Sequence, residues 1–419
     1  MVERAVPRPV RPDVPPDPLT DSGPDDAVRD AARTGLYVHV PFCAVRCTYC
    51  HFATSAFEHG LVDRWLAAIE REAAMRAPLA AGADFTSVFL GGGTPSSLSA
   101  RHVERLFAIL RERFAIRPDA EVTLEANPES VRPALLEAWR RCGVNRLSLG
   151  AQTFEPAELR VLGRIHDEHR PGAAVREARA RGFERVSLDL MFGWPGHTLA
   201  AFERSLAHAL SLPIEHLSAY AFIPDAGNPL GDAVLAGRAH VAPDDEQADM
   251  YAHLAAGCER AGLRAYETSN FARPGAEARH NLTYWLRRDW VALGPSAHGL
   301  WNGTRWGNVR DTRAWAAELE AGRAPEEFRE TPGEDAAAEE ALMLALRLGI
   351  GLRPADHAPR MRAAIERRYG AALAQAVALG RLEARPGGWR VAPRHRFVAD
   401  DVIAWIAARG RIDGGASAP

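Results

Sequence analysis

The chain of 419 residues has few cysteines, little net charge and no long apolar run, and each shortage excludes a class of protein. Five cysteines in a chain of this length do not make a disulfide-stapled secreted domain, and clustered thiols in a reducing compartment more often hold a metal or carry out redox chemistry. A formal net charge of -3 argues against nucleic acid as a main partner. No apolar segment approaches the roughly 18 residues of a membrane-spanning helix, so stable insertion into a membrane is not expected.

The first residues also lack the apolar core of a signal peptide, which predicts a cytoplasmic protein. Proline and aspartate are concentrated there instead, and residues 1–34 are predicted to form a disordered tail. The rest of the sequence predicts a large domain at 35–300, a linker region at 301–333, a smaller domain at 334–411 and a flexible tail at 412–419. The chain is long enough for two such domains.

Short apolar strands alternate with amphipathic helices in the large domain. The six predicted strands are dense in apolar residues, as strands covered on both faces are; they are LYVHV (36–40), SVFLG (87–91), VTLEA (122–126), RLSLG (146–150), RVSLDLMFG (185–193) and HLSAYAF (216–222). Between the first two strands, Leu61, Trp65 and Ile69 recur at helical spacing, and Ser99 is placed to cap the next helix. The series predicts an α/β fold with parallel strands, interpreted as a partial (β/α)6 barrel of the TIM type, with a doubly wound open sheet as the alternative.

The C-terminal region has a different pattern. Residues 334–350 predict a helix, two shorter helical stretches follow, and a hairpin is expected around Pro386-Gly387-Gly388 before a last helix near 398–409. Helices followed by a small hairpin are typical of a winged helix. Because the segment is not basic enough for DNA binding, this mostly helical, winged-helix-like domain is interpreted as an interaction or lid module.

Three of the cysteines, Cys43, Cys47 and Cys50, follow the spacing C-x3-C-x2-C directly after the first strand. Barrel folds place their chemistry in loops at this end of the strands. A zinc site completed by His39 or His51 is the main alternative, but structural zinc sites usually use two close ligand pairs separated by about 12–20 residues. Three thiolates suit a 4Fe–4S cluster with one iron left open for a ligand, so the spacing favours a cluster over zinc.

The stretch YVHVPFCAVRCTYCHF resembles the cluster loop of the radical S-adenosylmethionine (SAM) superfamily, and specifically of its HemN/HemW group. The motifs LGGGTPS, LEANPES, GVNRLSLGAQTF, LGRIH, DLMFGWPGHT, YETSNF and HNLTYW follow in that group's order. The resemblance covers most of residues 35–300, with weaker support to about residue 410. It implies that SAM chelates the open iron and is cleaved by electron transfer to a 5′-deoxyadenosyl radical. An electron donor such as a flavodoxin is then an expected partner.

The resemblance also implies a SAM pocket at the mouth of the barrel. The residues that match SAM contacts in the family are Tyr37, Gly92, Gly93, Thr94, Glu125, Gln152, Arg164 and Asp189. Glycine lets the backbone approach a ligand closely, and a guanidinium can hold a carboxylate through two hydrogen bonds. Taken singly, the polar residues at strand ends are more simply interpreted as inter-strand hydrogen bonds, and Tyr37 as a packed aromatic. On successive strands, however, they could converge on one ligand.

The HemN/HemW group contains two activities. Oxygen-independent coproporphyrinogen III oxidases of the group carry a further cysteine two residues after the third one, whereas HemW proteins have phenylalanine there and act as heme chaperones. This chain has Phe52 at that position and carries HNLTYW at 280–285, which resembles the HemW pattern. The resemblance therefore implies a heme chaperone with heme-accepting proteins as partners, and no oxidase activity is expected. An oxidase is the leading alternative, and a zinc-stabilised scaffold is a third.

Heme is expected near HNLTYW. The imidazole of His280 is a suitable axial ligand for heme iron, and Tyr284 and Trp285 offer flat apolar surface. The alternative is that His280 is hydrogen-bonded in a turn while the two aromatic residues pack in the core. The family resemblance favours heme.

Overall fold

Strands and helices alternate along the chain, as the apolar pattern predicts. The computed structural model describes residues 33–413, so residues 1–32 of the predicted N-terminal tail and 414–419 of the predicted C-terminal tail lie outside the described residues. The strands of the described chain are β1 (Thr34–Val40), β2 (Phe42–Cys43), β3 (Ser55–Ala56), β4 (Asp84–Gly92), β5 (Ala115–Ala126), β6 (Arg146–Gln152), β7 (Arg185–Phe192), β8 (His216–Ala221), β9 (Arg264–Ala265), β10 (Asn270–Ala272), β11 (Asp289–Leu293), β12 (His298–Trp301), β13 (Thr304–Asn308), β14 (Glu326–Glu330), β15 (Leu382–Arg385) and β16 (Gly388–Val391). Its α-helices are α1 (His59–Arg76), α2 (Ala100–Arg113), α3 (Pro133–Arg141), α4 (Pro156–Val161), α5 (Arg170–Ala180), α6 (Leu199–Ser211), α7 (Pro229–Leu235), α8 (Asp244–Arg260), α9 (Arg279–Trp285), α10 (Thr312–Glu320), α11 (Glu334–Ala345), α12 (Pro359–Ala378) and α13 (Ala399–Asp413).

The predicted strands form the centre of one sheet, whose order is β14-β13-β12-β11-β1-β4-β5-β6-β7-β8-β10-β9. Strands β1 and β4 to β8 pair in parallel, in the order in which they occur along the chain. Without a reversal of strand order, right-handed crossovers place every helix on the same face, which is the winding of a barrel rather than of a doubly wound sheet. The predicted parallel α/β architecture is confirmed. The barrel is partial, since β1 pairs on its other side with β11 and not with β8.

The sheet extends beyond the six predicted strands. Strand β11 is a seventh parallel strand, and β12, β13 and β14 continue the sheet in antiparallel pairing. Residues 301–333 therefore contain β13, α10 and β14 in place of the expected linker. Strand β14, EEFRE, escapes the sequence pattern because it is almost wholly exposed, and β13, TRWGN, contains no apolar run. The division of the chain into domains stays a prediction.

A buried carboxyl ties this added part of the sheet to the first helix. Glu72 on α1 is fully buried and accepts hydrogen bonds from the backbone N–H of Gly294 (2.8 Å), from Asn308 Nδ2 (2.7 Å) and from Trp315 Nε1 (3.2 Å). Burial raises the pKa of Glu72 to about 7, against the lowering effect of Arg76 one helical turn away. The segment from β13 to α10 is thus part of the same packed unit as α1.

The helices cover the outer face of the sheet with their apolar sides. Trp65 and Leu66 of α1 and Leu106 of α2 are fully buried in one core with the sheet residues Val38 and Leu90. Each such side chain contributes roughly 1.5–3 kcal/mol by leaving water. The predicted cap of α2 is confirmed, because the Ser99 hydroxyl accepts a hydrogen bond from the backbone N–H of His102.

The C-terminal helices build a second apolar core around Leu342, Ile365 and Ile403. The predicted hairpin is confirmed as β15 and β16, which pair Leu382 with Val391. The two shorter helices expected before it are wrong: residues 359–378 form the single helix α12. Gly370 interrupts the helical pattern there, but a glycine inside a helix costs only about 1 kcal/mol relative to alanine, so the helix continues through it.

Candidate functional site

The inner face of the barrel is polar. Along β5, β6 and β7 apolar residues alternate with polar ones, and the apolar set, such as Leu124, Leu149 and Leu188, is fully buried in the main core. The polar set lies on the opposite face and comprises Glu121, Thr123, Glu125, Arg146, Ser148, Ser187 and Asp189. The barrel is therefore built to hold a polar ligand or polar side chains, in contrast to the apolar filling of a closed TIM barrel.

The cysteine loop lies against the glycine turn that ends β4. The backbone N–H of Gly93 donates to the carbonyl of Val40 at 2.8 Å, and a Cβ on Gly93 would come within 2.9 Å of Phe42 O. Gly92 has φ of 110°, in the left-handed region, and a Cβ there would lie 2.6 Å from the His39 ring. Only glycine lets the two loops approach so closely.

A chain of side-chain hydrogen bonds joins two of the three cysteines. Cys43 Sγ lies 3.2 Å from Thr94 Oγ1, which accepts a hydrogen bond from Asn127 Nδ2 at 3.2 Å. Asn127 Oδ1 accepts in turn from Arg164 Nη2 at 2.8 Å, and Arg164 Nη1 donates to Cys47 Sγ at 3.4 Å. Two sequence-predicted residues, Thr94 and Arg164, are thus brought to the cluster loop. Asn127 connects them.

The guanidinium of Arg164 is fixed on several sides. Its Nη2 also donates to the carbonyl of Gly150 at 2.6 Å, while its buried Nε has no hydrogen-bond partner among the described residues. Burial alone would lower the pKa of Arg164, but the nearby Tyr49, Cys47 and Glu129 raise it instead. The side chain is therefore a permanent cation, and its unpartnered N–H is available to an anionic ligand group.

Two neighbouring carboxyls, Glu125 and Asp189, lie on the polar inner face of the barrel. Glu125 accepts a hydrogen bond from the backbone N–H of Gly92 at 3.1 Å, and Asp189 accepts one from the Ser148 hydroxyl at 2.9 Å. Burial and the neighbouring Asp189 raise the pKa of Glu125 to about 8, and burial raises the pKa of Asp189 as well. Two carboxyls that share a half-buried space favour a cation between them. The sulfonium and ammonium groups of SAM fit this requirement.

Two further predicted residues border the same mouth. Gln152 ends β6 with φ of 67°, an uncommon conformation for a residue other than glycine, and its Nε2 would lie 3.1 Å from a Cβ on Gly150. Tyr37 donates to or accepts from His39 Nδ1 over 3.1 Å, and its ring stacks on that of Phe89. The structure thus brings the predicted SAM residues together, and their assignment to SAM stays a prediction.

The three cysteines offer the right donors for a cluster. All three are free thiols and half-buried, and burial raises the pKa of Cys43 and Cys50. Within residues 33–413 no three His, Cys, Asp or Glu side chains lie close enough to hold one metal ion. A 4Fe–4S cluster is held differently, with each thiolate on a different iron, and its assembly removes the protons of the three thiols.

Neither candidate fourth zinc ligand completes a site. His39 has both ring nitrogens occupied, by Tyr37 and by the carbonyl of Ala53 at 2.8 Å. His51 is exposed, and its ring contacts that of Phe52. The donor set of three thiols with one open position fits a 4Fe–4S cluster better than it fits structural zinc.

His280 does not lie on a surface where heme can reach it. Its ring is fully buried, with Nδ1 2.9 Å from the Ser87 hydroxyl and Nε2 2.7 Å from the Tyr284 hydroxyl. The ring also stacks on Phe89, at 5.2 Å between centroids, and burial lowers its pKa to about 3. This arrangement favours the structural alternative for His280 over a heme ligand.

Sequence reasoning missed Asn127 and Tyr49 as site residues. Asn127 lies two positions beyond Glu125, at the carboxyl end of the same strand, which is the signal that could have identified it. Tyr49 lies between Cys47 and Cys50, packs with Leu162 and Trp194, and has its pKa raised by burial. Its pattern in the sequence is that of an ordinary loop aromatic.

Comparison with known proteins agrees with this geometry. Residues 37–209 match the family described as the radical SAM superfamily. A heme chaperone HemW of Mycobacterium tuberculosis is 39% identical over 372 residues, which cover 88% of this chain and 93% of that protein. The HemW protein of Bacillus subtilis is also 39% identical, over 65% of this chain and 72% of its own.

The fold is shared with a solved structure of the same superfamily. Coproporphyrinogen III oxidase HemN from Escherichia coli, described as a radical SAM enzyme, matches with a TM-score of 0.76 over 91% of this chain and 92% of its own, at 23% identity. Similarity at that level concerns the fold alone. The extent of the match to the HemW proteins identifies the chain: it belongs to the radical SAM superfamily and, within it, to the family of the proteins named heme chaperone HemW.

Proposed function

We propose that this protein is a heme chaperone, which binds heme and passes it to heme-accepting proteins while it keeps a 4Fe–4S cluster and a SAM site. The observation that carries the proposal is Phe52. It occupies the position of the further cysteine of the oxidases, and its side chain is 53% exposed on the cluster loop. Phe52 is not part of the core, and it replaces a thiol beside the cluster. An exposed phenylalanine there suits a surface for an apolar ligand better than it suits radical decarboxylation.

The cluster and SAM are supported by the chemistry of the site residues. Cys43, Cys47 and Cys50 would supply the thiolates, and the cluster would supply one-electron chemistry and an open iron. Glu125 and Asp189 would face the positive charges of SAM, while Arg164 would pair with its carboxylate. Cleavage of SAM would require an electron donor, which is therefore part of the proposal.

In residues 33–413, no helix has the length and apolarity to cross a membrane.

The test is heme transfer under anaerobic conditions. Cluster-reconstituted protein is loaded with hemin, freed of excess by gel filtration, and mixed with a heme-free b-type hemoprotein whose activity requires heme. We expect activity to return faster than with the same amount of heme carried by serum albumin. In a parallel assay with SAM and a reductant, coproporphyrinogen III should remain unconverted. Turnover of coproporphyrinogen, or the absence of hemin binding, would contradict the proposal.

A further inference from the structure

Next to the cluster, the cysteine loop presents an exposed histidine between apolar and basic side chains. His51 follows Cys50 directly, and its exposed ring lies 4.9 Å from that of Phe52, measured between centroids. The ring has no hydrogen-bond partner within the described chain, in contrast to the fully engaged His280 and His39. An exposed imidazole with unoccupied nitrogens is free to coordinate a metal.

The surroundings of His51 are apolar on the solvent side. Phe52 is 53% exposed and Val45 is 50% exposed, and both belong to the same short loop as His51. Large apolar side chains exposed together on a loop mark a surface that some ligand or partner covers. A flat macrocycle lying on the loop would cover the aromatic ring of Phe52 and the branched aliphatic side chain of Val45.

Two guanidinium groups flank the same loop without carboxylate partners. Arg46 Nη2 donates to the carbonyl of Cys50 at 3.1 Å, and Arg310 Nη2 donates to the carbonyl of His51 at 2.6 Å. Both side chains are exposed, and within residues 33–413 neither forms an ion pair with Asp or Glu. These hydrogen bonds to backbone carbonyls hold the two guanidinium groups beside His51, and no carboxylate of the described chain neutralises their positive charges. Two such groups suit a ligand that carries two carboxylates.

We propose that heme docks on this outer face of the cluster loop, with the His51 imidazole as axial ligand of the iron, Phe52 and Val45 beneath the macrocycle, and Arg46 and Arg310 paired with the two propionates. The inference rests on the proposed heme chaperone function and names its binding site. It places the ligand at the surface, where an acceptor protein can reach it. A chaperone must release its cargo, and an open site of this kind favours moderate, reversible binding.

The first test compares His51→Ala with His253→Ala. His253 is an exposed histidine on the outer helix α8; its Nδ1 lies 2.5 Å from Glu203 Oε1, so its Nε2 controls for non-specific coordination of hemin by surface imidazoles. We expect His51→Ala to bind hemin at least 10-fold more weakly and with a shifted Soret band, while His253→Ala behaves as the unchanged protein. Iron and sulfide counts verify that the cluster is retained. Equal hemin affinity and spectra in the two variants would overturn the proposal.

His51→Met adds a readout that a purely structural role of His51 would not change. A thioether ligand should raise the reduction potential of the bound heme and alter its spectrum while hemin remains bound. A heme potential identical to that of the unchanged protein would exclude His51 as the ligand.

The arginines are tested with and without propionates. The double variant Arg46→Gln/Arg310→Gln should bind hemin about 10-fold more weakly but should bind hemin dimethyl ester, which lacks the free carboxylates, as the unchanged protein does. An equal loss for both ligands would show that the arginines only shape the loop, and would overturn their assignment. If the unchanged protein binds no hemin at all, the proposed function itself fails. If it binds hemin and transfers it while the His51 and arginine variants do so equally well, only the site named here is wrong.

Discussion

Arg164 donates a hydrogen bond to the sulfur of Cys47 over 3.4 Å, although 117 positions separate the two residues in sequence. The contact couples the predicted carboxylate partner of SAM to a predicted ligand of the cluster. Because the guanidinium also bridges Asn127 and the Gly150 carbonyl, contacts within the protein fix its position. Preorganisation of this kind lowers the entropy cost of binding.

Arg164→Ala should weaken SAM binding by about 1.5–3 kcal/mol, on the order of 10- to 100-fold, since it removes charge-assisted hydrogen bonds to the ligand carboxylate. Arg164→Lys should give an intermediate loss, because an ammonium keeps the charge but cannot reproduce the fork of contacts. Titration calorimetry on the reconstituted protein measures both. Arg160→Ala, on the exposed side of the adjoining helix α4, is the matched control. If the Arg164 variants match this control, Arg164 does not belong to the SAM site.

The series of strand–helix units allowed the parallel barrel to be predicted, whereas the mouth residues were predicted mainly through the family resemblance. Alternation along the strands explains the positions of two of them. Strand residues alternate between two faces, so a polar residue in an apolar strand, such as Glu125 or Asp189, must point away from the helices. The cysteine spacing is equally local. Asn127 was not predicted because its role depends on Thr94 and Arg164, which come from other elements.

The sequence alone does not show which of the two histidines, His280 or His51, is buried and which is exposed to solvent. His280 occupies a short helix in which Tyr284 lies one turn away, but its other partner, Ser87 on β4, reaches it only after the sheet has formed. His51 lies in a loop without periodicity, and nothing in its neighbours indicates that it faces solvent. Strand β14 was missed for a related reason: hydrogen bonds between backbones leave no pattern in exposed side chains.

Substitution of any one cluster cysteine should abolish the iron–sulfur centre. Cys43→Ala, Cys47→Ala and Cys50→Ala each leave two thiolates in the loop, too few to hold a 4Fe–4S cluster with one open iron. The broad visible absorbance after anaerobic reconstitution, with iron and sulfide counts, is the measurement. Cys142→Ala, which removes a buried thiol from the main core, should keep the absorbance. Stoichiometric zinc without sulfide in the unchanged protein would contradict the prediction.

Glu125 should make stability depend on pH in the absence of ligand. Its pKa in the folded protein is about 8, raised first by burial and then by Asp189, from an ordinary value of 4.5. Between these two values the folded protein keeps a proton that the unfolded chain releases, so the free energy of unfolding falls as the pH rises. Glu125→Gln removes this dependence while its amide oxygen can still accept from the Gly92 N–H.

Relative to the unchanged protein, Glu125→Gln should therefore gain about 1–3 kcal/mol at pH 8.5 and nothing near pH 4.5. Urea unfolding at a series of pH values measures the difference. Glu112→Gln, on an exposed position of α2, is the control and should give a curve parallel to that of the unchanged protein. A Glu125→Gln curve that is also parallel would mean that this carboxyl ionises normally in the folded state.

His280→Ala should destabilise the protein without altering its hemin spectrum. The substitution removes a fully buried ring and leaves the Ser87 and Tyr284 hydroxyls without their partner. It also opens a space beside Gly35, where the ring now packs so closely that a Cβ on Gly35 would lie 2.9 Å from it. Loss of buried volume together with two unsatisfied hydroxyls costs about 2–5 kcal/mol. Thermal and urea unfolding measure this cost, and the Soret band of added hemin is recorded on the folded variant. His253→Ala should show neither effect. A folded His280→Ala protein of normal stability with a shifted or diminished Soret band would show that His280 is the axial ligand. A ring held by two internal hydrogen bonds can bind iron only if the site opens, so normal stability of the variant would mean that this opening costs little free energy.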